Sequence, residues 1–182
     1  MADRRVALWR GINVGRAKRV AMADLRTLVE DLGYREVATL LNSGNLVFTV
    51  PRGVPAKAAE RIEKAVAGRL GVSSRVTVLT AAELEAIVRK NPFGAVADDP
   101  SRLLVFVLAN PADRAKLRPL ARQDWTPEGL ALGARVAYIW CPDGMLQSRA
   151  AEAVGRLLGD AVTSRNWATM TKLRDLADQA LG

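Results

Sequence analysis

Residues 36–50 read EVATLLNSGNLVFTV and predict a β-hairpin. Two apolar runs, residues 36–41 and 46–50, flank the turn Asn42-Ser-Gly-Asn45, in which Gly44 supplies the positive φ that such a turn needs. A strand and a helix are predicted before the hairpin, and a second helix and strand after it. The first 80 residues therefore have the order βαββαβ, and this order decides the fold.

The elements around the hairpin follow from hydrophobic periodicity. Residues 6–14, VALWRGINV, predict an apolar strand, and a basic loop from Gly15 to Arg19 follows it. Apolar residues at helical spacing predict a first helix from Met22 to Leu32 and a second from Ala58 to Leu70. Residues 75–79 then form the fourth strand of this half.

The second half of the chain repeats this order of elements. Its strands are predicted at residues 102–109, 129–132, 136–141 and 161–164. Asn110 caps a helix that ends near Ala121. Asp143 is predicted to cap the next helix, which carries Leu146, Ala150, Val154, Leu157 and Leu158. A final helix, capped by Asn166, completes the chain.

We therefore predict an α+β protein of two consecutive ferredoxin-like (βαββαβ) modules, each with an antiparallel sheet, plus a C-terminal helix. The first module covers residues 1–80, and the second, with the last helix, covers residues 102–182. Residues 81–101 connect them, because a capping box at Thr80–Glu83 opens a short helix that Asn91-Pro-Phe-Gly94 ends.

Two predictions follow for the sheets. The strand order should be 4-1-3-2 in each module, since this is the order of the ferredoxin-like arrangement. The strands near Val6 and Leu103 are apolar on both faces. Both faces of each sheet should therefore be buried, by the other module, the last helix or a second chain.

Composition excludes several classes of active site. The 182 residues include no histidine and one cysteine, Cys141. Ser-His-Asp and Cys-His catalysis, histidine metal sites and an intrachain disulfide are thus absent, and we predict no metal or cofactor. No apolar run approaches the roughly 20 residues of a membrane helix, so we expect a cytoplasmic protein with no membrane partner. Whether the protein is an enzyme stays open.

The net charge of +8 bears on the choice of partner. We expect a small anionic ligand, bearing phosphate or carboxylate. Nucleic acid is an alternative, and a dimerisation module without ligand chemistry is another, in a monomer or a homodimer. The charge could also be compositional, since acids lie between most of the cations. Trp9 and Phe48 lie on central strands, opposite in parity to the helix-facing residues, where an RNA-binding sheet carries aromatic residues.

The best candidate site lies where the first strand meets the hairpin. In the βαββαβ order the loop after the first strand and the hairpin turn emerge at the same end of the sheet. This brings six predicted ligand-binding residues together: Arg10, Asn13, Gly15, Lys18, Ser43 and Asn45. Charge and backbone N–H donors suit an anion, although the amides could serve only the loop backbone.

Arg10 is the residue whose role is most open. It shares the alternation register of Val6, Leu8 and Ile12, which should be buried. Its guanidinium must then find a ligand, an acid or backbone carbonyls, or extend to water at the end of the strand.

A second candidate group comprises Arg165, Asn166, Trp167 and Lys172. The indole and the two cations could form a stacking and anion-binding surface. The simpler reading is that Asn166 caps the last helix and Trp167 anchors it in the core.

Five motifs in order indicate a family. They are Arg10-Gly-Ile-Asn-Val-Gly15, Met22-Ala-Asp-Leu-Arg26, Asn42-Ser-Gly-Asn45, Asn91-Pro-Phe93 and the stretch from Ser164 to Leu173. Together they resemble the bacterial family named domain of unknown function 1697, over almost the whole chain. The resemblance implies a small α+β protein with duplicated ferredoxin-like halves and implies no activity.

The chain departs from the family pattern at two positions in the loop after the first strand. Gly15 is followed by Arg16, where the family usually has a second glycine, and Ala21 stands where proline is common. The Arg16 side chain could change how closely a ligand approaches the backbone.

Overall fold

The computed structural model describes residues 2–55, 57–95 and 97–179, which divide into two compact units. Met1–Leu84 and Leu173–Gly182 form the first unit, and Glu85–Lys172 form the second. The elements are, in chain order, β1 (Asp3–Trp9), α1 (Met22–Asp31), β2 (Arg35–Thr39), β3 (Asn45–Val50), α2 (Ala58–Leu70), β4 (Val76–Thr80), α3 (Ala81–Arg89), β5 (Leu103–Leu108), α4 (Arg114–Ala121), β6 (Gly129–Leu132), β7 (Val136–Trp140), α5 (Arg149–Leu158), β8 (Val162–Asn166) and α6 (Trp167–Gln179).

The first unit contains a four-stranded antiparallel sheet in the order β2-β3-β1-β4. In β1, Leu8 lies opposite Asn45 of β3 and Thr77 of β4. Read from β4, this is the predicted order 4-1-3-2, so the predicted strand order and the βαββαβ arrangement of the first half are confirmed. The register also fixes the site geometry, because the end of β1 lies beside the start of β3.

The core of the first unit lies between this sheet and its two helices. Trp9 and Phe48 face α1 and α2, where they pack with Leu25, Leu28 and Ile62. The prediction that Trp9 and Phe48 lie on the opposite face is therefore wrong, because the helices cover the face that carries them. Val6, Leu8 and Val47 on the other face are also fully buried, as the doubly apolar strands predict.

The second unit repeats the arrangement, with an antiparallel sheet in the order β6-β7-β5-β8. All six residues of β5 are buried. Phe93 of the Asn91-Pro-Phe93 motif lies against Gly129, where an added Cβ would stand 2.6 Å from its ring. The Asn91 side chain accepts a hydrogen bond from the Phe93 N–H at 2.9 Å, which sets this turn.

Three of the predicted helix caps are confirmed, and one is wrong. Thr80 and Glu83 exchange the two hydrogen bonds of a capping box, Asn110 accepts from the Ala112 N–H, and Asn166 accepts from the Thr169 N–H. Asp143, in contrast, does not cap α5, because Ser148 takes that position and accepts from the Ala151 N–H.

The start of α5 differs from the sequence prediction for a reason that involves distant residues. The Glu128 carboxylate accepts hydrogen bonds from the Ser148 hydroxyl and from the Arg149 and Ala150 N–H groups. This fixes the helix start after Gln147, so Leu146 stands 93 % exposed in the preceding 3-10 turn. The prediction that Leu146 lies in the helix is therefore wrong, whereas Leu157 lies in α5 and is exposed.

No helix within the described ranges is long and apolar enough to cross a bilayer.

Candidate anion-binding loop

The candidate site is built where β1 ends beside the start of β3. The Trp9 N–H donates to the Gly44 carbonyl oxygen at 2.9 Å, which joins the two segments. Gly44 has φ +79°, and a Cβ there would lie 2.7 Å from Trp9 Cβ and 2.8 Å from Ile12 Cδ1. Glycine is therefore required both by the turn and by the close approach of the β1–α1 loop.

Asn13 holds the β1–α1 loop in shape. Its side-chain Nδ2 donates to the carbonyl oxygens of Val20, at 2.8 Å, and Asn42, at 2.7 Å. Its Oδ1 accepts from the Val20 N–H at 2.8 Å. Asn13 itself lies at φ +55°, and its N–H donates to the Lys18 carbonyl at 3.0 Å. The side chain thus closes the loop on itself and ties it to the hairpin turn.

Asn45 does the same for the hairpin. It is fully buried, and its Nδ2 donates to the Leu40 carbonyl oxygen and to the Ser43 hydroxyl, both at 2.9 Å. The two amides that the sequence offered as ligand donors therefore hold the backbone of the site. Ser43 is exposed at the surface of the turn.

The cations of the loop are what the site presents to solvent. Arg16, Lys18 and Arg19 are exposed, and none of their side chains has an ion-pair or hydrogen-bond partner among the described residues. No acid occurs in residues 10–23 or 40–46. Gly15 has φ +62° with open space around its Cα, so the backbone beside these cations is accessible. The loop is a fixed positive surface.

Arg10 lies just beyond β1 and is half-buried. Its N–H donates to the Arg75 carbonyl at 3.0 Å, and its own carbonyl accepts from the Ser74 hydroxyl at 2.7 Å. The strand ends at Trp9, so the expectation that Arg10 continues a buried register is wrong. It stands at the same end of the sheet as the exposed cations.

The guanidinium that is buried in the first unit belongs to Arg4. It donates to the Thr49 hydroxyl at 2.9 Å and to the Glu36 carbonyl oxygen at 3.1 Å. Burial lowers the pKa of Arg4, and the Glu36 carboxylate, 3.5 Å away, opposes this shift. The burial of Arg4 could not be predicted from the sequence, because this residue lies outside the apolar run that defined the strand.

Sequence reasoning also missed two exposed apolar residues beside the cations. Val14 is 67 % and Leu41 is 55 % exposed. Their only signal in the sequence is that each apolar side chain stands next to a loop asparagine.

The second candidate group belongs to the second unit and serves mainly structure there. Asn166 is the cap of α6, and Arg165 is only 9 % exposed. Arg165 donates to the Thr163 hydroxyl and the Ser164 carbonyl, and burial lowers its pKa to about 10. It therefore stays charged at neutral pH. Trp167 is half-buried rather than a core anchor, and Lys172 is exposed.

The second unit also has an open groove of about 530 Å³. Its polar rim includes Arg149 and Glu152. Arg149 donates a hydrogen bond to the Trp125 carbonyl oxygen, and Glu152 forms a salt bridge with Arg156. The N-terminus of α5 beside it is taken by the Glu128 carboxylate. Within the described part of the chain, no group of three histidine, cysteine or acidic residues could hold a metal ion.

Comparisons with known proteins support the fold and assign no activity to it. A solved structure, the conserved bacterial protein SP0830 from Streptococcus pneumoniae, is 23 % identical with a TM-score of 0.79 over 97 % of this chain and 99 % of that one. This similarity shows the fold alone. No curated protein sequence matches the chain. The family model described as "Protein of unknown function (DUF1697)" matches residues 2–138, so the chain belongs to that family.

Proposed function

We propose that this protein binds an anionic ligand, bearing phosphate or carboxylate, at the β1–α1 loop. One observation carries the proposal: Arg16, Lys18 and Arg19 are exposed without an acidic partner on a loop that Asn13 holds in place. Ion pairs neutralise many exposed cations elsewhere in the chain, such as Arg26 with Glu30 and Arg69 with Asp31.

The fixed backbone favours binding because the loop has less conformational entropy to lose when a ligand binds. The loop conformation, with positive φ at Asn13, Gly15 and Lys18, is held by hydrogen bonds within the chain. A loop that is already ordered loses less freedom on binding than a mobile one. Arg and Lys side chains then supply charge-assisted hydrogen bonds to phosphate or carboxylate oxygens. Arg10 and Ser43 stand at the same end of the sheet and complete the proposed set.

Nucleic acid is a second candidate, favoured by the net charge of +8. Trp9 and Phe48 are buried under helices, so base stacking on the first sheet is not available. Binding would then rest on phosphate contacts, and its affinity should fall steeply with salt as counterions are released.

The test compares two variants of equal net charge. The first changes Arg16, Lys18 and Arg19 to Gln. The control changes Arg52, Lys64 and Arg122 to Gln, which are exposed cations without ion pairs away from the loop. Calorimetric titration with pyrophosphate and with citrate should show binding by the parent and the control, and a loss of at least about tenfold in the loop variant. Equal affinity in both variants would show that net charge alone determines binding, and it would defeat the proposal.

A further inference from the structure

Two apolar side chains stand exposed beside the cationic loop. Val14 follows Asn13 and Leu41 precedes Asn42, and these two asparagines are joined by the 2.7 Å hydrogen bond from Asn13 Nδ2 to the Asn42 oxygen. Val14 and Leu41 therefore flank one contact at the end of the first sheet. Single exposed apolar residues are ordinary, but these two lie on adjoining loops that this hydrogen bond joins.

The backbone at Leu41 makes its exposure more notable. Leu41 has φ +57°, in the left-handed region that costs a leucine more than glycine or asparagine. Its side chain is more than half exposed there, so packing does not offset the strain. A polar residue or glycine would suit the turn better if the turn had no other role.

Three cations follow Val14 along the same loop. Arg16, Lys18 and Arg19 follow Val14 within five residues, and the acid that comes next along the chain is Asp24 in α1. The end of the sheet thus combines aliphatic side chains with positive charge, on two loops that hydrogen bonds hold together.

We propose that this end of the first unit docks on an anionic lipid surface, with Arg16, Lys18 and Arg19 at the headgroups and Val14 and Leu41 inserted beneath them. The inference rests on the proposed anion binding and names its source as a lipid headgroup. Basic residues near an anionic leaflet each contribute about fivefold in affinity, and buried aliphatic groups add to this. It revises the expectation of no membrane partner, which considered only spanning segments.

Lipid is favoured over other anions by the apolar pair. A small soluble phosphate gives Val14 and Leu41 nothing to contact. Single-stranded nucleic acid is bound through aromatic platforms, whereas these side chains are aliphatic and Trp9 is buried. A bilayer interface offers negative charge directly above hydrocarbon, so it can contact both the cations and the two apolar side chains of these loops.

The experiment is co-sedimentation with vesicles, at low and at physiological salt. Vesicles of phosphatidylcholine with phosphatidylserine are compared with phosphatidylcholine alone. The parent should sediment with the first and not with the second. The double variant Val14→Asn with Leu41→Asn should bind the anionic vesicles with at least about fivefold lower affinity than the parent. The control, Met145→Asn with Leu146→Asn, removes an exposed apolar pair from the second unit and should sediment like the parent.

Titration with pyrophosphate separates the two proposals. The Val14/Leu41 variant should bind pyrophosphate like the parent, which also shows that it is folded. A parent that binds pyrophosphate or a short oligonucleotide but does not sediment with anionic vesicles overturns the lipid inference and leaves anion binding standing. A parent that sediments equally with neutral vesicles, or a Val14/Leu41 variant that sediments like the parent, also overturns it. Failure to bind pyrophosphate defeats the proposed function itself.

Discussion

Gly44 is the residue on which the shape of the site depends most. A Cβ at this position would stand less than 3 Å from Trp9 and Ile12, and φ is +79°. Gly53 has a similar φ of +85° but open space around it, so it serves as a matched control. We expect Gly53→Ala to lower the free energy of unfolding by on the order of 1 kcal/mol, through backbone strain alone.

Gly44→Ala should cost about 1–3 kcal/mol more than this, because the clash with Trp9 and Ile12 adds to the strain. Urea denaturation of both variants measures the difference. Equal losses in the two would mean that the loop and the hairpin are not packed as closely as the structure has them.

Asn13 is expected to act on stability and on binding together. Asn13→Gly keeps access to positive φ but removes three side-chain hydrogen bonds, to Val20 twice and to Asn42 once. We expect a loss of about 1–3 kcal/mol in unfolding free energy and weaker pyrophosphate binding, because the loop loses its fixed shape. Arg16→Gln, in contrast, should leave stability within about 0.5 kcal/mol. A parent-like melt for Asn13→Gly would contradict the scaffold role.

A single substitution of Arg10 distinguishes a ligand-binding role for this residue from a structural one. As a member of the site, Arg10→Ala should abolish the thermal stabilisation that pyrophosphate gives the parent, while costing less than about 1 kcal/mol in unfolding free energy. The measurement is a melt with and without pyrophosphate. A loss of about 1–3 kcal/mol with an unchanged ligand-dependent shift would assign Arg10 to the scaffold.

A buried hydroxyl group joins β7 to α3. The Tyr138 O–H donates to the Ile87 carbonyl at 2.7 Å, and burial raises the pKa of Tyr138 to about 12. The folded state therefore keeps the proton that an unfolded tyrosine releases near pH 10. This contribution to stability is complete below about pH 10 and is lost as the pH rises toward about 12.

Unfolding free energy measured across this alkaline range should fall in the parent. Tyr138→Phe should show a smaller fall, from a start about 1 kcal/mol lower because the Ile87 carbonyl loses its donor. Parallel curves for the two proteins would show that Tyr138 ionises equally in both states.

The elements also show how far local sequence signals reach. Capping boxes such as Thr80–Glu83 span four residues and can be predicted. The start of α5 depends on Glu128, which lies 20 residues before Ser148 and binds it only in the folded chain. Asp143 was predicted as the cap because the sequence does not show that the Glu128 carboxylate lies at the start of α5 in the folded chain.

The topology of the two sheets could be predicted from the sequence better than the roles of the residues in the site. Alternation and helical periodicity predicted both sheets and their order, and the pairing of β1 with β3 placed the loop beside Asn42–Asn45. The roles within the site were less predictable. Whether an amide serves a ligand or a backbone carbonyl depends on distances of about 3 Å across the fold, so Asn13 and Asn45 could not be assigned from their spacing.

The charge of the molecule matters through its placement. Many cations are paired or lie among acids, while Arg16, Lys18 and Arg19 stand together without an acidic partner in the described ranges. Affinity for pyrophosphate should therefore fall as salt is raised, through screening of exposed charges. Salt-independent titrations would contradict a site made of exposed cations.

The most direct test of anion binding at the β1–α1 loop is to map amide chemical shifts by NMR during a pyrophosphate titration. We predict saturable shifts concentrated in Arg10–Val20 and at Ser43 and Gly44, with smaller changes elsewhere. Those shifts should be absent in the Arg16, Lys18 and Arg19 variant and retained in its charge-matched control. Shifts scattered over the cations of both units, or none at the loop, would contradict the account.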